Sequence, residues 1–247
     1  MRVKKIFPHS RILGQTMPVS IYGHFGVPLL FFPTASADFE ELERHGMIDA
    51  LRGPIHAGHV KVFSIDTINR QSWFNYEISV KERLARQAAY DAYVASELLG
   101  IIYEDCQGQL PVATAGASLG AFHASNTLFR HPDAFRWGIF MSGIYDMSQY
   151  FENYFDDNCY WQNPTTYLPN ASRDHRAALR KCSINVICGQ GPWERVHWSK
   201  RIHDVLEQID VPHNYDLWGH DVAHDWEWWY IQMNHYIQRL WVRAGKA

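Results

Sequence analysis

The chain has 247 residues, of which 47% are apolar and 15% aromatic, and its formal charge is −3. So many apolar side chains can fill a large core, which excludes a disordered chain. The near-neutral balance, without a long run of Lys or Arg, excludes the electrostatic footprint of a nucleic-acid or anionic-membrane binder.

A single α/β unit is expected at this length, with small molecules as partners and an open oligomeric state. The amino terminus, MRVKKIFPHSRILGQTMP, holds basic residues but no apolar run of signal-peptide length. No later segment reaches the roughly 18 apolar residues of a spanning helix, so no membrane association and a cytoplasmic location are expected.

In chain order, short apolar or β-branched runs predict strands at Val19 to Tyr22, Leu29 to Phe32, Val60 to Ile65, Val112 to Ala115, Gly138 to Met141, Ile184 to Cys188 and Asn214 to Trp218. Several are continuously apolar, as strands buried on both faces should be. Helical patterns alternate with them, the arrangement of crossover units around a mostly parallel sheet. Asp38 with Glu41 predicts one helix start, and Ser79 with Glu82 predicts a capping box opening a long helix with Val80, Leu84, Ala88, Val94 and Leu98 on one face. Leu119 to Phe129 reads as a helix ending before His131-Pro132, and Trp193 to Ile209 and Trp226 to Trp241 as the last two. Tyr145 to Ala171 breaks the rhythm with aromatics, Asn, Asp and Pro, and is expected to be an inserted lid or binding loop within the single domain 1–247. The four cysteines, Cys106, Cys159, Cys182 and Cys188, lack disulfide spacing and are expected to be reduced, with Cys188 as inert core.

The strongest chemical signal is Gly116-Ala117-Ser118-Leu119-Gly120, where an apolar strand runs directly into a helix. A nucleophile elbow needs small residues on both sides of its serine because the turn is tight, and Gly116 and Gly120 supply them. The turn exposes Ser118 Oγ at a helix N-terminus, where the Leu119 N–H can help hold an oxyanion.

A serine hydroxyl needs a general base, and the base needs an acid to orient it, in the chain order Ser, acid, His. His220 and His224 follow the last strand; His224, just before an aromatic helix, is the preferred base, and His220 a supporting residue. Glu194 is the first carboxylate after the strand ending at Cys188 and is the candidate acid, with Asp216 and Asp221 as rivals and Asp225 ranked below them. The second oxyanion donor is expected from Phe32-Pro33-Thr34-Ala35-Ser36-Ala37, with the Ala35 N–H named and Thr34 or Ser36 as neighbours. Thr34, Trp193, Trp161 and Trp226 are substrate-binding candidates, and Tyr160 is a further aromatic of that pocket.

Together these segments resemble the esterase branch of the α/β-hydrolases related to the esterase D group. The resemblance rests on Phe-Pro-Thr at 32–34, Gly-Ala-Ser-Leu-Gly-Ala at 116–121, Arg-His-Pro at 130–132, Met-Ser-Gly at 141–143, Asn-Pro-Thr-Thr-Tyr-Leu at 163–168 and His-Asp-Trp-Glu-Trp-Trp at 224–229. It implies an α/β-hydrolase fold, a mostly parallel central sheet with helices on both faces, and catalytic roles for Ser118 and His224. The family often carries Asp after a glycine turn where this chain has Gly-Gln-Gly-Pro-Trp-Glu, and a His-Gly pair where it has Phe-Pro-Thr.

The expected function is a serine carboxylester hydrolase acting on small acyl esters through an acyl-enzyme intermediate, without cofactor or metal. Three alternatives stand beside it: an acyltransferase using the same triad, a metal-dependent hydrolase at His220 and His224 with the four-residue spacing of helical ligands, and a non-catalytic binding protein of the same fold. Acyl chain and leaving group are not legible.

Overall fold

The computed structural model describes residues 1–244, with side chains through 240. Ten strands occur among them: β1 (Val3–Ile6), β2 (His9–Ser10), β3 (Gln15–Thr16), β4 (Val19–Tyr22), β5 (Val27–Phe32), β6 (Val60–Ile65), β7 (Val112–Ala117), β8 (Phe135–Met141), β9 (Ser183–Cys188) and β10 (Asn214–Leu217). The helices are α1 (Glu41–Arg44), α2 (Met47–Ala50), α3 (Arg52–His56), α4 (Val80–Tyr93), α5 (Leu99–Cys106), α6 (Leu119–Arg130), α7 (Asp157–Trp161), α8 (Pro164–Tyr167), α9 (Arg173–Leu179), α10 (Val196–Gln208) and α11 (Trp226–Ala244).

Eight strands form one sheet in the order β1-β4-β6-β5-β7-β8-β9-β10, with β2 and β3 forming a small ladder apart. β1 pairs antiparallel with β4, and β4 with β6; all later pairings are parallel. This is an α/β-hydrolase sheet with helices on both faces. Strand β1 escaped the sequence pattern because VKKI lies on an exposed edge and lacks a buried run.

The run Val27–Phe32 is buried along its whole length. Leu29 and Phe31 face one layer, with Met47, Leu51 and Met233, while Leu30 and Phe32 face the other, with Tyr90, Leu98 and Ala121. A strand covered on both sides can be apolar at every position, which is why it reads as a continuous run.

The capping box at Ser79 is present: its side chain accepts from the Glu82 N–H while the Glu82 carboxylate accepts from the Ser79 N–H. The helix it opens continues through a π-turn at Val94–Leu98 into α5. The expected Asp38 and Glu41 box does not form. Asp38 instead accepts from the Glu40 N–H, and Glu41 turns inward to Thr34. Trp193 to Arg195, expected as helix, is a turn with Trp193 at φ 66° before α10 begins at Val196. All four cysteines are free thiols, and burial pushes Cys188 up to about 12, leaving it unreactive as a thiolate. No helix among the described residues is long and apolar enough to cross a membrane.

Strand order fixes where chemistry can occur. From β5 the chain moves to β6 on one side and later to β7 on the other, so the loops after β5 and β7 open next to each other at the sheet's carboxyl edge. Open α/β sheets bind ligands at such a switch point.

Candidate active site

Ser118 sits between β7 and α6 with φ 56° and ψ −123°. A non-glycine residue rarely occupies such a conformation, which stores on the order of 1–3 kcal/mol of strain. The turn is held by the Ser118 N–H donating to Met141 O at 2.9 Å, across to the end of β8. A Cβ on Gly116 would drive into the Gly120 carbonyl, and one on Gly120 would lie 2.5 Å from Phe32 O. Both glycines are therefore demanded by the close approach of α6 to β7 and β5. Ser118→Gly relieves the strained φ, so despite the added chain entropy it should melt at or above the wild-type temperature, as thermal unfolding would show. A markedly lower melting temperature would contradict stored strain at this turn.

Glu194 and His224 are brought together. His224 Nδ1 lies 3.3 Å from Glu194 Oε2, with the Glu194 side chain 1% exposed and that of His224 21% exposed. Glu194 Oε1 accepts from Ser142 Oγ at 2.6 Å and from the Gly189 N–H at 3.1 Å. Ser142 in turn accepts from Trp229 Nε1 at 3.1 Å, and the His224 ring packs edge-on against Trp229 with centroids 5.0 Å apart. Cys188 Sγ donates to Glu194 Oε2 at 3.5 Å, so the carboxyl group is held by three donors besides the histidine. Backbone bonds tie the two loops: the Gly191 N–H donates to Val222 O and the His224 N–H to Pro192 O.

Two of the rival carboxylates are engaged elsewhere. Asp216 Oδ2 accepts from Trp218 Nε1 and Tyr236 Oη, and Asp225 accepts from the Trp226 N–H at the start of α11. Residues 218–225 form a loop rather than a helix, so the helical spacing that would set His220 and His224 on one face as metal ligands does not arise.

In the loop after β5, the Thr34 N–H donates to Glu41 Oε2 at 2.8 Å and its Oγ1 donates to Glu41 Oε1. That engagement occupies the Thr34 N–H, whereas the Ala35 and Ser36 N–H groups make no hydrogen bond among the described residues. Ala35 is held from behind, because Asn69 Nδ2 donates to its carbonyl at 2.5 Å. Asn69 Oδ1 accepts from His123 Nε2 at 2.9 Å, and His123 Nδ1 faces Gln87 Nε2 at 3.5 Å. This buried chain joins the Ala35 loop to α6, five residues beyond Ser118, and to α4.

Burial pushes His123 down to about 3, so the ring is neutral and its two nitrogens keep distinct roles. Between pH 3 and 6.5 the unfolded chain binds a proton that the folded chain refuses, so stability rises with pH through that window and is lost as pH falls. From pH 6.5 to 5 this one group removes about 2 kcal/mol of stability. Urea unfolding at both pH values should show a smaller loss in His123→Gln than in the wild type; equal losses would contradict it.

Three substrate-binding candidates scatter. Trp193 is 81% exposed on the turn before Glu194. Trp226 stacks on His45 with centroids 4.6 Å apart, near the base of the His224 loop. Trp161 lies 5.9 Å from the Arg130 guanidinium, at the end of α6 remote from Ser118, and is not brought to the site; Tyr160 packs beside it. Leu119, next to Ser118, is buried among residues the pattern did not single out. Trp73, Phe122, Ile144, Met147 and Phe151 pack with Leu119 in one cluster. Ser142 and Trp229 were visible only as letters in Met-Ser-Gly and His-Asp-Trp-Glu-Trp-Trp, while Asn69 and His123 left no periodic signal at all.

A strained serine between a central strand and its helix, at the switch point of this sheet, places the chain among the α/β-hydrolases. Residues 55–240 match the family model described as "Putative esterase", and the chain belongs to that family of esterases. No curated protein matches it by sequence. Among solved structures it is similar to a ferulic acid esterase (17% identity, TM-score 0.73, 98% of each chain covered). It is also similar to the fluorophosphonate-binding serine hydrolase FphF of Staphylococcus aureus (14% identity, TM-score 0.71, 97% of this chain and 98% of that one). The S-formylglutathione hydrolase FrmB of the same organism aligns equally well (13% identity, TM-score 0.71, 97% and 98% covered).

Proposed function

We propose that the protein hydrolyses small carboxylic esters through an acyl-enzyme on Ser118, with His224 as general base and Glu194 as the acid that orients it. The observation that carries this reading is the contact of Glu194 with His224 Nδ1 at the carboxyl edge where Ser118 stands. Ser118 Oγ attacks the acyl carbonyl carbon while His224 Nε2 takes its proton; the Leu119 and Ala35 N–H groups receive the developing oxyanion. Collapse of the tetrahedral intermediate expels the alcohol, which recovers the proton from His224. Water then repeats the sequence on the acyl-serine and frees the acid. A bound alcohol or amine in place of water would give acyl transfer, the second outcome the same site allows.

Residues 145–171 are the proposed lid of this single α/β-hydrolase domain. Met147 and Phe151 from this segment pack with Leu119 and Phe122, and buried Arg83 of α4 donates to Glu152 at its edge. Such a cover sets the length of the acyl group beside Ser118. A series of p-nitrophenyl esters from acetate to octanoate tests the reading. The purified protein should turn over the short members with kcat/KM falling as the chain lengthens, and no turnover of any member would overturn it.

A further inference from the structure

We infer a divalent transition-metal site, suited to zinc, formed by His203, Glu207 and His213. It is independent of the hydrolytic reading. His203 and Glu207 stand four residues apart on α10, hence on one face of the helix. The turn that follows returns His213 to that face just before β10. One ligand atom from each residue lies within 4.8 Å of the other two: His203 Nδ1 and His213 Nε2 are 2.8 Å apart, and His213 Nε2 is 4.0 Å from Glu207 Oε1.

The orientation of His213 is the informative part. Its Nδ1 donates to Val211 O at 2.8 Å, which puts the ring proton on Nδ1 and leaves a lone pair on Nε2, aimed at His203. A backbone carbonyl fixing the tautomer behind a free imidazole nitrogen is the usual support of a metal-bound histidine. The His213 side chain is 1% exposed and the His203 ring is stacked on Tyr215, centroids 4.4 Å apart, so two of three ligands are held before any ion arrives. Without an ion, His203 Nδ1–H donates into the His213 lone pair. On loading, that proton moves to His203 Nε2, both facing nitrogens become ligands, and the rings part by roughly half an ångström to accommodate Zn–N bonds of about 2.0–2.1 Å. Glu207, exposed to solvent, supplies a third ligand and water a fourth. Two imidazoles and one carboxylate select a borderline ion such as Zn²⁺ over Mg²⁺ or Ca²⁺.

The position indicates a stabilising role rather than a hydrolytic one. His213 precedes the amino end of β10, whereas Glu194 and His224 follow the carboxyl ends of β9 and β10. An ion here would clamp α10 to β10 at the opposite edge of the sheet from Ser118.

The test is a Zn²⁺ titration of the full chain, without affinity tag and stripped by chelator, against a chromophoric competitor, with melting temperature as a second readout. The wild type should bind one equivalent and melt higher when loaded. Glu207→Gln, an exposed substitution that leaves the core untouched, and His203→Gln should each weaken binding at least tenfold and shrink the rise in melting temperature. Ser118→Ala should bind like the wild type. No stoichiometric zinc in the wild type, or unchanged affinity in both variants, would overturn the site and leave the two histidines as a hydrogen-bonded pair.

Discussion

Ser118→Ala should lose ester turnover by a factor on the order of 10⁴–10⁶ while keeping its fold. The loss is large because no second hydroxyl shares the turn: residues 116–120 carry only that of Ser118, at the carboxyl end of β7. The fold should survive because the turn is defined by backbone contacts, Ser118 N–H to Met141 O and the approach of Gly120 to Phe32 O, which alanine retains. Steady-state kinetics on p-nitrophenyl acetate, with a melting curve to confirm folding, measures this. Residual activity above water would come from the oxyanion donors alone.

Glu194→Gln has the second largest expected effect, a fall in kcat on the order of 10²–10⁴, and the reason lies in proton placement. Glutamine can keep its Oε1 toward Ser142 Oγ and the Gly189 N–H, both of which donate. That choice turns its NH₂ toward His224 Nδ1, which must then accept, so the ring proton moves to Nε2, the nitrogen that has to receive the proton of Ser118. The general base is lost with the geometry nearly unchanged. Glu194→Ala should differ, leaving the buried Ser142 hydroxyl and Gly189 N–H without their acceptor at a cost of roughly 1–3 kcal/mol each. The comparison of kcat and urea stability across the two variants separates orientation of the base from support of the loop. A Gln variant within tenfold of wild-type kcat would contradict Glu194 as the acid.

The sheet was legible wherever burial forces a pattern on the residues. β5, β6 and β7 are covered on both faces and read as apolar runs, and Ser79 with Glu82 announced α4 because a capping box is local chemistry. Exposed β1 imposes no such pattern. The elbow was legible because two glycines and a serine are required by one tight turn, and the contact of Glu194 with His224 because strand order restricts where the loops after β9 and β10 can stand. What escaped was the polar support. Gln87 and Asp91 lie on the buried face of α4 where periodicity expects apolar residues, and Asn69 with His123 join segments 54 positions apart. Such bonds satisfy buried groups across the fold, and no local rule in the sequence reports them. Trp161 misled for the converse reason: an aromatic in a long irregular segment looks like a pocket wall, yet here it covers the distal end of α6.

The central claim is that Ser118 is activated, and covalent labelling tests it most directly. A fluorophosphonate reacts with a serine whose proton is being withdrawn by a base and ignores an ordinary hydroxyl. Peptide mapping after treatment should place one phosphonyl adduct on Ser118, with labelling slowed in His224→Gln and absent in Ser118→Ala. An unlabelled wild type, or an adduct on any other residue that persists in Ser118→Ala, would contradict the account.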